Sequence, residues 1–134
     1  MKNIVFLKDK IIAHRGYHDL KEGIPENSIL AFKKAIRYKY VIELDVHILK
    51  DNTLVVFHDD NLKRVCGVDK NIDECTFDEI KDLKLFNTTC KIPLFKDVLK
   101  GTYLLSTKSP LQATILFTRI VSLCSKTITL FVSG

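Results

Sequence analysis

Two signals of a secreted or zinc-binding protein are missing from this sequence of 134 residues. Its four cysteines form no Cys-x-x-Cys pair. The segment of residues 1–9 is too short, and contains too many charged residues, to be a secretory leader. We therefore expect reduced, structural thiols in a cytoplasmic protein, because zinc sites need paired ligand spacing and disulfides need an oxidising compartment.

Long apolar runs and basic runs are also scarce. The apolar segment 111–123 is interrupted by Arg119 and is shorter than the ~20 residues that a spanning helix needs. It predicts a buried helix over residues 111–124, with no transmembrane segment. The formal net charge is +5, but the lysines are scattered and no aromatic residues are interleaved with them, so we expect no nucleic-acid partner.

The remaining pattern alternates strands with helices. Residues 11–13 predict a first strand, and Asn27 or Ser28 can cap the helix that follows. Thr76 and Glu79 have the spacing of a capping box for a later short helix. Further strands are predicted at residues 40–48, 54–57, 103–106 and 127–132. Such alternation favours a parallel sheet, and without a glycine-rich nucleotide loop an eightfold α/β barrel is favoured over an open sheet.

The strand predicted at residues 40–48 carries unusual polar residues. Glu43, Asp45 and His47 alternate, so their side chains are expected on one side of the strand. In a barrel an uncompensated carboxylate there costs several kcal/mol, on the order of the penalty for burying a charge, and a hard divalent cation would relieve it. The sequence favours metal ligation by Glu43 and Asp45, with Mg²⁺ or Ca²⁺, over a solvated strand face. His47 is either a further ligand or a structural hydrogen-bonding residue.

Two histidines follow predicted strands. His14 precedes Arg15, whose guanidinium suits a phosphate, and a glycine that permits close backbone approach. His58 precedes Asp59, which either orients the imidazole or simply begins a polar loop. Two imidazoles, an arginine and paired carboxylates together supply a proton acceptor, a proton donor and charge neutralisation. These are the requirements for cleaving a phosphodiester.

At this level of detail the sequence resembles the glycerophosphodiester phosphodiesterase family over about residues 11–99, with Arg64 continuing the pattern. The matching motifs are His14-Arg15-Gly16, Pro25-Glu26-Asn27-Ser28, Ala31-Phe32, Glu43-Leu44-Asp45-Val46, Lys50-Asp51 and His58-Asp59. The resemblance implies a TIM-type barrel that hydrolyses a small glycerophosphodiester to an alcohol and glycerol 3-phosphate. It also implies roles for individual residues: His14 and His58 as acid–base pair, Arg15, Asn27 and Lys108 as substrate contacts, and Glu43 and Asp45 as metal ligands.

The sequence departs from the family in two ways. Ser106-Thr107-Lys108 stands where members carry Glu-x-Lys, so a third metal carboxylate is replaced by Ser106. Only about five of the eight strands can be placed in the chain, which predicts an incomplete barrel formed by one domain, residues 1–134, equivalent to the N-terminal portion of the family's domain. A homo-oligomer or a separate C-terminal half would then complete the site. The alternative is an inactive fragment that serves as a binding or structural module.

Overall fold

The computed structural model describes residues 11–106 and the short strands at 115–116 and 131–132, with side chains described for residues 11–101. The strands are β1 (Ile12–His14), β2 (Val41–Glu43), β3 (Val46–Ile48), β4 (Leu54–Val56), β5 (Ile115–Leu116) and β6 (Phe131–Val132). The helices are α1 (Ile29–Arg37), α2 (Lys63–Cys66), α3 (Phe77–Ile80) and α4 (Phe95–Ser106). Within this part of the chain the strands do not close a barrel.

The unit β1-α1-β2 is the strand–helix–strand arrangement that the sequence predicts. β1 and β2 pair in parallel, which brings His14 opposite Glu43. Ser28 caps α1 by accepting a hydrogen bond from the Ala31 N–H at 3.1 Å. This settles the choice of cap, because Asn27 instead has a left-handed backbone and turns its amide toward the site. The strand order β1-β2-β6-β5 places β6 antiparallel to β2, so the expectation of a purely parallel sheet is wrong.

The single strand predicted at residues 40–48 is in fact two. β2 ends at Glu43, and β3 then pairs with β4 as an antiparallel hairpin in a separate sheet. Leu44 and Asp45, both of which are buried, separate the two strands. Buried apolar residues continue on both sides of this interruption, so the composition gives no sign of it, and the alternating pattern continues through it.

The C-terminal predictions fare less well. Residues 103–106, predicted as a strand, belong to α4. Phe95 and Val98, three residues apart and so on one face of this helix, pack in the hydrophobic core. Gly101 lies inside the helix, where a glycine costs about 1 kcal/mol relative to alanine. In the segment predicted as a helix over 111–124, the described residues form β5, so that prediction is wrong there. Lys108 lies outside the described residues.

Two hydrophobic clusters support the structure on either side of β4. Val56 faces the first cluster, which packs α1 and α4 against β2, whereas Val55 and Phe57 face the second. Three cysteines are free thiols in or against the second cluster, as expected for structural residues: Cys66, Cys75 and Cys90. Burial raises the pKa of Cys66 to about 11, so this thiol stays protonated. The helices of the described part are all too short or too polar to cross a membrane.

Candidate active site

The site begins where β1 ends. His14 lies opposite Glu43 in the parallel register, and its Nε2 is 3.8 Å from Glu43 Oε2. The same carboxylate oxygen accepts a hydrogen bond from the Arg15 backbone N–H at 3.0 Å. Arg15 has a left-handed backbone (φ 56°), which turns the chain sharply after the strand. The His14 side chain remains 67% exposed, so its imidazole is accessible to a substrate.

The second carboxylate, Asp45, is almost completely buried. Its Oδ2 accepts a hydrogen bond from Asn27 Nδ2 at 3.1 Å and lies 3.7 Å from Arg15 Nε. The Asn27 backbone N–H in turn donates to the Arg15 carbonyl at 2.9 Å. Asn27 therefore joins the loop before α1 to the end of β1 and holds Asp45 between them. Its strained left-handed backbone (φ 52°) is a typical feature of a functional site.

His58 reaches the site from the hairpin. The Phe57 N–H donates to the Asp45 carbonyl at 3.0 Å, which fixes the end of β4 beside the buried carboxylate. His58 Nδ1 is 2.7 Å from Asp59 Oδ1, so the carboxylate orients the ring. His47 lies below, with its Nε2 3.0 Å from the His58 carbonyl. This contact is of the kind expected for a structural hydrogen-bonding residue, one of the two roles that the sequence leaves open for His47.

Arg64 connects the two sides of the site. Its guanidinium contacts both carboxylate oxygens of Asp59, with Nε 2.7 Å from Oδ2, and both carboxylate oxygens of Glu26. The Glu26 carboxylate also contacts the Arg15 guanidinium, at 3.3 Å. The Arg64 hydrogen bond lowers the pKa of Asp59 to about 2. Burial alone would raise the pKa of Glu26, but the hydrogen bond and charge of Arg64 outweigh it and keep this pKa below its usual value.

Charge within this network is unbalanced. The guanidinium groups of Arg15 and Arg64 contact three carboxylates, those of Glu26, Asp45 and Asp59, and a fourth, that of Glu43, accepts a hydrogen bond from the Arg15 backbone N–H. The excess of two negative charges fits one divalent cation, and carboxylate oxygens are the ligands that Mg²⁺ and Ca²⁺ prefer. Two buried atoms, Asn27 Oδ1 and Arg15 Nε, also lack hydrogen-bond partners. Such orphaned polar groups are typical of sites that bind an ion or ligand.

The donor set for such a cation is small. In the described part of the chain no group of three or more histidine, cysteine, aspartate or glutamate side chains has the geometry of a metal site. Glu43 and Asp45 would therefore hold a cation largely with water. Ser106, expected at a third ligand position after a strand, instead ends helix α4.

Most of the residues singled out in the sequence are thus brought together. His14, Arg15, Asn27, Glu43 and Asp45 are joined by direct contacts, and His58 is joined through backbone and carboxylate contacts. Sequence reasoning gave no role to Arg64. Its partner Glu26 lies 38 residues away, and no spacing rule connects positions so distant.

Comparison with known proteins identifies the family of the chain. Residues 14–118 match the model of the glycerophosphoryl diester phosphodiesterase family. A glycerophosphodiester phosphodiesterase of Caldanaerobacter subterraneus is 44% identical over 78 residues, which cover 58% of this chain and 31% of that protein. The chain spans about a third of the length of the curated relatives it matches.

Solved structures give the same result. The crystal structure of a glycerophosphodiester phosphodiesterase from Parabacteroides distasonis matches with 43% identity and a TM-score of 0.62, over 72% of this chain and 38% of that one. A phosphodiesterase of Oleispira antarctica in complex with the product sn-glycerol-3-phosphate matches with 26% identity and a TM-score of 0.63, over 72% of this chain and 40% of that one. The matched phosphodiesterases are TIM-type barrels. This chain belongs to the glycerophosphoryl diester phosphodiesterase family.

Proposed function

We propose that this protein hydrolyses glycerophosphodiesters to an alcohol and glycerol 3-phosphate with the help of a divalent cation. The observation that carries the proposal is the convergence of His14, Arg15, Glu43 and Asp45 in one contact network at the ends of β1 and β2. Support also comes from the Oleispira antarctica relative, which binds sn-glycerol-3-phosphate as its product.

The two histidines supply proton transfer. One imidazole of the pair His14 and His58 accepts a proton from the nucleophile, and the other donates a proton to the departing alcohol oxygen. Both rings are accessible, with side chains 67% and 40% exposed.

Positively charged and hydrogen-bond-donating side chains contact the phosphate group of the substrate. Arg15, beside His14 at the end of β1, carries a guanidinium suited to bidentate contact with a phosphate, and its side chain is 19% exposed. Asn27 adds an amide beside it, and we assign Lys108 to the same anionic group on the family pattern alone. These contacts neutralise charge that increases on the phosphoryl oxygens during cleavage.

The cation would be held by Glu43, at the end of β2, and by the buried Asp45 two residues later. When bound, a Mg²⁺ or Ca²⁺ ion would supply Lewis-acid stabilisation of the phosphate. With two protein carboxylates and water as ligands, its affinity should be modest. The three free thiols support a cytoplasmic location for this chemistry.

A second candidate function is a catalytically inactive binding module. It is favoured by one observation, the lack of a third metal carboxylate in the described part of the chain. If the protein is an enzyme, the third metal carboxylate would come from a second copy of the chain or from a separate polypeptide that forms the rest of the barrel.

The test measures glycerol 3-phosphate released from glycerophosphocholine with Mg²⁺, Ca²⁺ or EDTA. We expect His14→Ala and His58→Ala each to lower kcat by about 10²- to 10⁴-fold, the usual contribution of an acid–base group. Asp45→Asn should abolish the stimulation by metal, whereas Lys63→Gln, an exposed change away from the network, should leave turnover unchanged. Turnover of a folded wild-type protein that equals that of His14→Ala would refute the enzyme and favour the binding module.

A further inference from the structure

Arg64, on the short helix α2, holds two carboxylates from different parts of the chain. Its Nε and Nη2 contact Asp59 at 2.7 and 3.0 Å, and its Nη2 and Nη1 contact Glu26 at 2.5 and 3.3 Å. The face of the guanidinium lies 5.5 Å from the centre of the Phe86 ring. The planar, five-donor group of arginine is suited to this double contact, which the ammonium of a lysine cannot reproduce.

The Asp59 side of this arrangement controls the orientation of His58. Because both oxygens of Asp59 are held by Arg64, the carboxylate is fixed in position and stays ionised at neutral pH. An ionised carboxylate 2.7 Å from Nδ1 can only accept a hydrogen bond, so the neutral imidazole must carry its proton on Nδ1. Nε2 is then the unprotonated nitrogen of a side chain that is 40% exposed.

The Glu26 side controls Arg15. Glu26 Oε1 lies between the guanidinium groups of Arg15, at 3.3 Å, and Arg64. The Arg15 side chain is mostly buried and its Nε reaches Asp45 at 3.7 Å. A shift of Glu26 would therefore release Arg15 from one of its two side-chain anchors among the described residues.

On the basis of the proposed function, we propose that Arg64 is a positioning residue: through Asp59 it selects the Nδ1–H tautomer of His58, and through Glu26 it orients Arg15 toward the phosphate. The ionisable groups that contact His58 are Asp59, at its ring, and His47, at its backbone carbonyl. Arg64 acts on His58 only through Asp59.

A purely stabilising role would have different consequences. The Arg64 side chain is 46% exposed, and exposed ion pairs contribute little to stability, typically below about 1 kcal/mol. A structural residue of this kind would alter the unfolding midpoint without altering the protonation pattern of one histidine. The tautomer of His58 is therefore the readout that separates the two roles.

The decisive experiment records ¹⁵N chemical shifts of the histidine side chains in the full-length protein above the pH at which they become neutral. The His58 signals are assigned by their loss in His58→Ala. In the wild type we expect the Nδ1–H form of His58. In Arg64→Gln and Asp59→Asn we expect a shift toward Nε2–H, the form that a neutral histidine side chain favours in water. Lys63→Gln, which also removes one exposed cation beside an aspartate, should retain the wild-type pattern.

Kinetics then test the two sides separately. Asp59→Asn should lower kcat, by up to about 10⁴-fold, with little change in KM, because a histidine in the wrong tautomer transfers protons poorly. Glu26→Gln should mainly raise KM, and Arg64→Gln should do both, with Arg64→Lys restoring only part of the loss. A wild-type His58 that is already Nε2–H, or an Arg64→Gln protein with unchanged tautomer, would overturn the inference.

These outcomes are independent of the proposed activity. If the wild type shows no turnover but His58 has the predicted tautomer and responds to Arg64→Gln, the positioning by Arg64 holds and the enzyme proposal fails. If turnover is present but neither the tautomer nor kcat responds to Arg64→Gln, the enzyme proposal holds and the inference about Arg64 fails.

Discussion

Gly16, which follows Arg15 at the end of β1, provides a quantitative test of how tightly the site loop is packed. Its backbone is left-handed (φ +81°), and a Cβ added there would lie 2.8 Å from Ala31 Cβ and 3.1 Å from the Ala31 carbonyl carbon. Real Cβ atoms do not approach other atoms so closely. Ala31 is itself fully buried in α1, so it cannot move aside.

In Gly16→Ala, a backbone cost and a packing cost therefore both lower the free energy of unfolding. A left-handed alanine costs roughly 1–2 kcal/mol, and forcing a methyl group into a packed interior typically costs about 1–3 kcal/mol more. We expect the free energy of unfolding to fall by about 2–5 kcal/mol. Activity should fall as well, because the shift required at Gly16 would displace the neighbouring Arg15 from Glu43.

Gly23 provides the matched control. It is also left-handed (φ +70°), but an added Cβ would meet nothing within 4 Å. Gly23→Ala should therefore show only the backbone penalty of roughly 1–2 kcal/mol. The measurement is urea unfolding of both variants, and the difference between them is the cost of the contact with α1. Equal losses in the two variants would show that the close approach of Gly16 to Ala31 does not exist.

Two further predictions concern the supports of the site. Ser28→Ala removes the hydroxyl that accepts from the Ala31 N–H and donates to the Pro25 carbonyl, so urea unfolding should show a loss of about 1 kcal/mol or more, and Ser28→Asn should recover part of it. Arg64 lowers the pKa of Asp59 to about 2, so the stability from this pair is complete above the unfolded pKa of about 3.9 and is lost as the pH falls toward 2. Allowing for solvent screening, Arg64→Gln should lower the unfolding free energy by about 1 kcal/mol at pH 6 and by almost nothing at pH 2; an equal loss at both pH values would contradict the assignment.

Local features of the fold could be predicted from the sequence because they depend on short-range physics. The cap and apolar face of α1 and the capping box at Thr76 follow from spacings of three and four residues. The parallel pairing of β1 and β2 follows from the helix between them. In the same way, His14 and Glu43 could be expected together because the ends of neighbouring parallel strands meet at one edge.

Predictions failed where tertiary structure decides between local alternatives. Residues 103–106 have strand-forming character, but they continue a helix that Phe95 and Val98 already anchor in the core. Residues 40–48 alternate as one strand would, yet the second half forms a hairpin with β4. Side-chain pattern alone cannot distinguish a continuous strand from two strands that belong to different sheets.

The site is assembled from two halves that meet at Asp45. His14, Arg15 and Glu43 lie at the ends of the strands that pack with α1 over the first cluster, whereas Phe57, before His58, and Val65, after Arg64, are buried in the second. Among the described residues, the site halves are joined by the Phe57 N–H to Asp45 carbonyl bond and by the contact of Arg64 with Glu26. Motifs spread along the sequence identify the members of each half, but the relative position of the two histidines depends on these joining contacts. This is why Arg64, to which the motifs assign no role, contributes to the geometry beside the residues whose roles the motifs imply.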